Sequence, residues 1–110
     1  METSMNGYGE NAATFLCKTQ LTPGTPVMVT ANGTVSAASG NFCGVVLSWR
    51  DGVAAVQMEG YVQLPYSGAK PALGYQTLTA ANGKVAVSTA DGGVQRLVVD
   101  TDSTTIGLLL

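Results

Sequence analysis

The side chains able to move a proton near neutrality are few in this sequence, because it has no histidine. The carboxylates are Glu2, Glu10, Asp51, Glu59, Asp91, Asp100 and Asp102. Acid–base catalysis needs such a group held in a cleft with a shifted pKa. Asp51 and Asp91 each precede a glycine in an expected turn, where Asp serves turn geometry alone. Asp100-Thr101-Asp102 supplies two carboxylates, whereas a calcium loop needs at least about six oxygens with a glycine and a terminal Glu at set spacing. A solvated loop is the preferred reading there. Without imidazole, a serine or cysteine nucleophile lacks its usual base, and zinc sites lose their commonest ligand. No phosphate-binding loop, dinucleotide fingerprint or nucleophile elbow is present. Cys17 and Cys43 lie beside Leu16 and Phe42 and read as small buried hydrophobes, with a disulfide left open. Catalysis is the least favoured class, and no cofactor and no metal are expected.

These groups must be carried by strands. From Phe15 onward, short β-branched runs alternate with turns about every eight to twelve residues, the pattern of an all-β barrel or sandwich. The candidates are Phe15–Cys17, Val27–Thr30, a strand through Val35, Gly44–Trp49, Val53–Met58, Tyr61–Tyr66, a strand through Val85 and Val87, Val94–Val99 and Ile106–Leu110. Asn32-Gly33 and Asn82-Gly83 are hairpin signals, and Arg50-Asp51-Gly52 is a third turn. Asn32-Gly33-Thr34 also matches a glycosylation acceptor and is read as the hairpin turn. No window reads as a helix, although Ala69–Leu73 is expected to make a single helical turn. Residues 1–14 are polar, small and without periodicity. They read as a flexible N-terminal arm, either frayed or ordering on a partner.

The chain repeats itself. Gly24–Gly33 aligns without gaps on Gly74–Gly83, and Val35 recurs as Val85, at a constant spacing of 50. Gly44-Val45-Val46-Leu47 aligns on Gly107-Leu108-Leu109-Leu110 at a spacing of 63, which implies an insertion in the later half. Two copies are too few for a solenoid and suit a small barrel with a pseudo-twofold internal repeat. At 110 residues, one domain with a single core over 15–110 is expected.

Charged residues are 11% of the chain, against roughly 25% in typical soluble domains. Five scattered basic residues make no footprint for nucleic acid. No apolar run approaches the ~20 residues of a membrane span. METSMNGYGENAATF has neither the basic region nor the apolar core of a signal peptide, so synthesis in the cytosol is expected. A surface of Gly, Ala, Ser, Thr, Asn and Gln is cheap to bury, so a homo-oligomer or a place in a larger assembly is expected. Trp49 with Arg50 reads either as an aromatic and arginine anchor for a partner or as a core cap beside a solvated arginine, the second being preferred. The residues assigned to a partner interface are Tyr8, Phe15, Trp49, Arg50 and Tyr66.

The order Gly24-x-Pro26-Val27, Ala31-Asn32-Gly33-x-Val35, Gly44-Val45-Val46, Asp51-Gly52 with Val56, Gly60-Tyr61-Val62, Gly74, Asn82-Gly83-x-Val85 and Ile106-Gly107-Leu108 resembles the small capsid cement, or head decoration, proteins of tailed bacteriophages and prophages. The resemblance covers about residues 15–110. It implies a β-rich protein bound to the exterior of the virion's capsid, often as a trimer, with the major capsid protein as partner and no catalysis. It also implies an N-terminal segment that orders against the shell. The competing expectation is a small β-domain that binds a carbohydrate or other ligand on Trp49, Tyr61 and Tyr66.

Overall fold

A computed structural model describes residues 11–88 and 93–110, and among these every regular element is a strand. In chain order they are β1 (Asn11–Leu16), β2 (Pro26–Ala31), β3 (Thr34–Ala37), β4 (Gly44–Arg50), β5 (Val53–Glu59), β6 (Tyr61–Pro65), β7 (Gly74–Ala81), β8 (Lys84–Val87), β9 (Val94–Thr101) and β10 (Thr105–Leu109). The all-β expectation holds. β1 begins inside the stretch read as an arm, and its residues 11–14 lie along β5. Residues 1–10, with Tyr8, and Asp91, where a turn was expected, lie outside the described residues. Ala69–Leu73 makes no helical turn. Pro71 lies in its middle, lacks an N–H and drives Lys70 out of the helical region.

The first five strands close into a barrel in the order β1-β3-β2-β4-β5. The last five form a sheet in the order β6-β10-β9-β7-β8. Written from β3 and from β8, the two orders are the same: β3-β2-β4-β5-β1 and β8-β7-β9-β10-β6. The closing contact recurs as well. Leu16 of β1 pairs in parallel with Thr34 of β3, and Tyr66, just after β6, bridges in parallel to Val85 of β8. The repeat seen at Gly24–Gly33 is therefore a duplication of a whole five-stranded unit.

Matching the sheets by register corrects the spacing of 63. Gly44–Leu47 lies in β4, whose counterpart is β9, whereas Gly107 lies in β10, the counterpart of β5. Val46 faces Val56 in the first sheet, and Val98 faces Leu108 in the second. The spacing in this region is thus 52, close to the 50 that separates Val35 from Val85. Both pairs carry a bulge at the equivalent place, around Leu47 in β4 and around Val99 in β9. The Gly-aliphatic runs had aligned strands that do not correspond, because Gly, Val and Leu recur in nearly every strand.

Alternation decides which side chains enter the interior. In β5, Ala54 and Val56 point inward and are buried; in β6, Val62 and Leu64 do the same. The interior is divided in two, where a single core was expected. Cys17, Val27, Val35, Val46, Ala54 and Val56 fill the first barrel. Leu64, Leu78, Val85, Val98, Ile106 and Leu108 dominate the second cluster. Each duplicated unit retains the interior of its own sheet. The second is completed by Ala38, Phe42 and Val45 from the first half. Gly40 pairs with Ala80 through both backbone hydrogen bonds at 2.8 Å, which fixes that loop against β7. The Arg96 guanidinium lies 5.8 Å from the centre of the Phe42 ring and donates to the Phe42 carbonyl at 3.3 Å.

Candidate functional site

The aromatic side chains singled out in the sequence fall in separate surroundings. Phe15 of β1 and Trp49 of β4 both lie opposite Ala54 of β5, so two rings flank one small residue across adjacent strands. Both pack against the first core. The Trp49 indole N–H donates to the Cys17 carbonyl at 2.8 Å, which satisfies its one polar atom inside the protein. Trp49 thus occupies the capping position. Arg50 is 93% exposed, and its nearest charge is Asp51 at 3.8 Å, a solvated pair that adds little stability. Tyr66 packs against the second core, and its hydroxyl donates to the Asp102 carbonyl at 3.1 Å. Tyr61 is buried on the second half. Trp49, Tyr61 and Tyr66 are therefore not gathered on one exposed stacking surface.

The titratable groups are committed to local structure. The Asp102 carboxylate accepts the backbone N–H groups of Thr104 at 2.8 Å and Thr105 at 2.7 Å, and these hold it below the usual aspartate range. It shapes the β9–β10 turn, as Asp does in many loops. Asp100 accepts the Tyr61 hydroxyl, to which the Gln63 side-chain N–H also donates at 3.2 Å. Burial raises the Tyr61 hydroxyl above the usual tyrosine value, and the neighbouring Asp100 adds to the rise. Cys17 is buried, Cys43 is half-buried, and both are free thiols. Their S–H groups donate to the carbonyls of Thr19 and Val27 respectively. No group of three or more metal-ligating side chains occurs among the described residues. Among the same residues, no helix is long and apolar enough to cross a membrane.

A shallow groove of about 350 Å³ runs where the halves meet, lined by Pro23, Leu47, Gln57, Tyr61 and Gln63 among others. Gln57 is 5% exposed. Its amide donates to the Glu59 carbonyl at 2.9 Å and the Tyr61 carbonyl at 3.1 Å. The residue clamps the β5–β6 joint, which is a structural use of its polar group.

The two most exposed of the large apolar side chains lie at the start of β7 and just before it. Tyr75 is 68% exposed and Leu73 63% exposed. Among the described residues Tyr75 is the only aromatic side chain in the exposed class. Across the sheet, Tyr75 of β7, Leu97 of β9, Leu109 of β10 and Tyr61 of β6 form one register row. Sequence reading had passed over Tyr75. Its signal was the alternation Tyr75-Gln76-Thr77-Leu78-Thr79-Ala80, which puts Leu78 and Ala80 inward and so Tyr75 outward. In the first sheet, Val45 and Gln57 are the counterparts of Leu97 and Leu109, and their row runs on to Pro26 of β2 and Ala12 of β1. No family model and no curated protein matches this chain.

Proposed function

We propose that this chain is a structural protein of a tailed-phage or prophage virion, bound to the exterior of the assembled head through the major capsid protein and stabilising it as a homotrimer. The observation that carries the reading is that Leu16, Val29, Leu73 and Tyr75 are each more than half exposed in a chain with 11% charged residues. Large apolar side chains left in water gain free energy when a partner buries them. The Gly- and Val-patterned resemblance to head decoration proteins supplies the setting. In that setting packed DNA presses outward on the shell. A protein that bridges neighbouring shell subunits adds contact area at each junction. Weak contacts repeated by symmetry sum to a large stabilisation through effective concentration. A surface poor in charge has little desolvation cost to offset at such a junction.

The test is to induce prophage in the bacterium that encodes the chain, band the particles on a density gradient and probe each fraction with an antiserum. The expected result is signal in the DNA-filled head band, at many copies per particle. Signal confined to soluble or cell-surface fractions overturns the reading.

A further inference from the structure

The duplication places one reactive pair in two settings. Asn32-Gly33 and Asn82-Gly83 occupy equivalent hairpin tips, between β2 and β3 and between β7 and β8. An asparagine followed by glycine can modify itself, because glycine has no side chain to keep its backbone nitrogen from the asparagine side-chain carbonyl carbon. The ring that forms holds Cγ, Cβ, Cα, the backbone carbonyl carbon and the next nitrogen. It closes only when Cβ and that nitrogen lie on the same side of the Cα–C bond.

The two turns differ in their distance from that arrangement. Asn82 is left-handed, at φ 53°, and Asn32 is not. In an L-residue, Cβ stands about 120° from the backbone nitrogen around the Cα–C bond. At the left-handed ψ of about +47° the next nitrogen is therefore nearly opposite Cβ. In the allowed regions at negative φ it stands closer, at roughly 50–140°. The second hairpin also runs in unbroken register to its tip, so turning the Asn82 peptide disrupts the ladder, whereas the first already carries a bulge between Val29 and Ala31. Gly33 is exposed and Gly83 half-buried, so water reaches the first nitrogen more freely.

The next residue differs as well. The glycine nitrogen attacks after losing its proton, and its charge then spreads onto the asparagine backbone carbonyl oxygen. The Thr34 hydroxyl donates to the Asn32 carbonyl at 3.2 Å. A donor already aimed at an oxygen that gains charge stabilises that charge. The equivalent residue of the second turn is Lys84, which has no hydroxyl.

We propose that Asn32-Gly33-Thr34 is a self-modification site, at which Asn32 deamidates in the folded chain while its duplicate, Asn82, is held back by its left-handed backbone. The Gly33 nitrogen gives its proton to water and bonds to Asn32 Cγ. The Cγ–Nδ2 bond breaks, and ammonia leaves with a proton returned from water. Water then opens the cyclic imide at either carbonyl, giving aspartate or isoaspartate, and nothing is oxidised or reduced. Either product adds a negative charge to a chain of net charge -2. Isoaspartate also lengthens the backbone by a methylene beside Gly33. The Gly33 carbonyl accepts the Leu16 N–H at 2.8 Å, in the contact between β1 and β3 that closes the barrel. The site does not depend on the function proposed above.

The experiment incubates the full chain at mildly alkaline pH, folded and in urea, with circular dichroism confirming both states. Each asparagine is followed by tryptic peptide mass and by isoaspartyl methyltransferase labelling. Cleavage after Lys18, Arg50 and Lys84 puts Asn32 and Asn82 on different peptides and separates both from Asn6-Gly7, which lies outside the described residues. In the folded chain Asn32 is expected to react about tenfold faster than Asn82, and in urea the two rates should converge. Thr34→Val should slow Asn32 by about threefold, with Asn82 unchanged. Equal rates in the folded chain, a faster Asn82 or no reaction at Asn32 overturns the proposal. A difference that persists in urea does so too, because it then comes from the neighbouring residue types and not from the backbone. An Asn32 rate unaffected by Thr34→Val overturns the part assigned to the hydroxyl.

Discussion

The Tyr61 hydroxyl reaches the Asp100 carboxylate at 2.9 Å by lying over Gly107. Gly107 of β10 is opposite Gln63 of β6 on one side and Asp100 of β9 on the other. A side chain there would stand where the tyrosine ring lies. The absent side chain lets a polar contact span three strands on the outer face, next to the Tyr75–Leu97–Leu109 row. Tyr61 is 8% exposed, so its ring has little room to withdraw.

Gly107→Ala is accordingly expected to destabilise the fold. A β-carbon would collide with the Tyr61 ring and hydroxyl and with Asp100 Oδ1. Forcing a methyl into a filled space costs about 1–3 kcal/mol. The melting temperature should fall by roughly 4–8 °C for each kcal/mol lost. Thermal unfolding followed by circular dichroism checks it, and an unchanged midpoint would show that Tyr61 moves aside freely.

Stability is expected to decline in alkali through Tyr61. Its raised pKa, caused chiefly by burial, means that the folded chain holds the phenol proton more tightly than the unfolded chain. The contribution is complete below the unfolded tyrosine value of about 10 and is lost as pH rises through the folded value. Chemical denaturation midpoints across that window should fall, and the fall should be smaller in Tyr61→Phe. Spectrophotometric titration near 295 nm should show a late-ionising phenol that is missing from Tyr61→Phe. Asp102 acts in the opposite range. Its lowered value gives stability above the unfolded aspartate value that is lost as pH drops through the folded one.

The two Asn-Gly turns should respond differently to the same substitution. Asn82 has φ 53° and Gly83 φ 78°, the left-handed pair of a tight hairpin turn, whereas only Gly33 of the first turn, at φ 64°, is left-handed. The first hairpin carries a bulge between Val29 and Ala31, and the second runs in unbroken register from Leu78 to Ala81. Asn82→Ala is expected to cost about 1 kcal/mol, because alanine is penalised in the left-handed region. Asn32→Ala should cost clearly less. Urea unfolding of the two variants side by side decides it, and equal losses would count against this difference in backbone.

Several features were legible before the fold. Runs such as Gly44–Trp49 and Val53–Met58, separated by Asp51-Gly52, read as strands and became β4 and β5. The β-branched residues favour the pleated backbone, and the turn residues stop it. The repeat was legible at Gly24–Gly33 because turn positions accept few residue types. It was misaligned at Gly107–Leu110 because aliphatic runs carry no such restriction. Of the interface residues chosen, Phe15, Trp49 and Tyr66 pack against cores and Arg50 is solvated. Tyr75, which sequence reading did not choose, is exposed.

The sequence by itself determined that this chain is a small β protein built from hairpins, copied once, and poor in charge and in groups for acid–base chemistry. Those properties follow from residue type and local spacing, which act over a few positions. Tertiary structure decided which face of each strand is inside. A shift of one residue moves every side chain to the other face, and the bulges around Leu47 and Val99 make such shifts. It also decided that two rows, Pro26–Val45–Gln57 and Tyr75–Leu97–Leu109, which correspond at β4–β5 and β9–β10, have different fates. Pro26, Val45 and Gln57 are buried, whereas Tyr75 is exposed and Leu97 and Leu109 are half-buried, a difference set by what packs against each row.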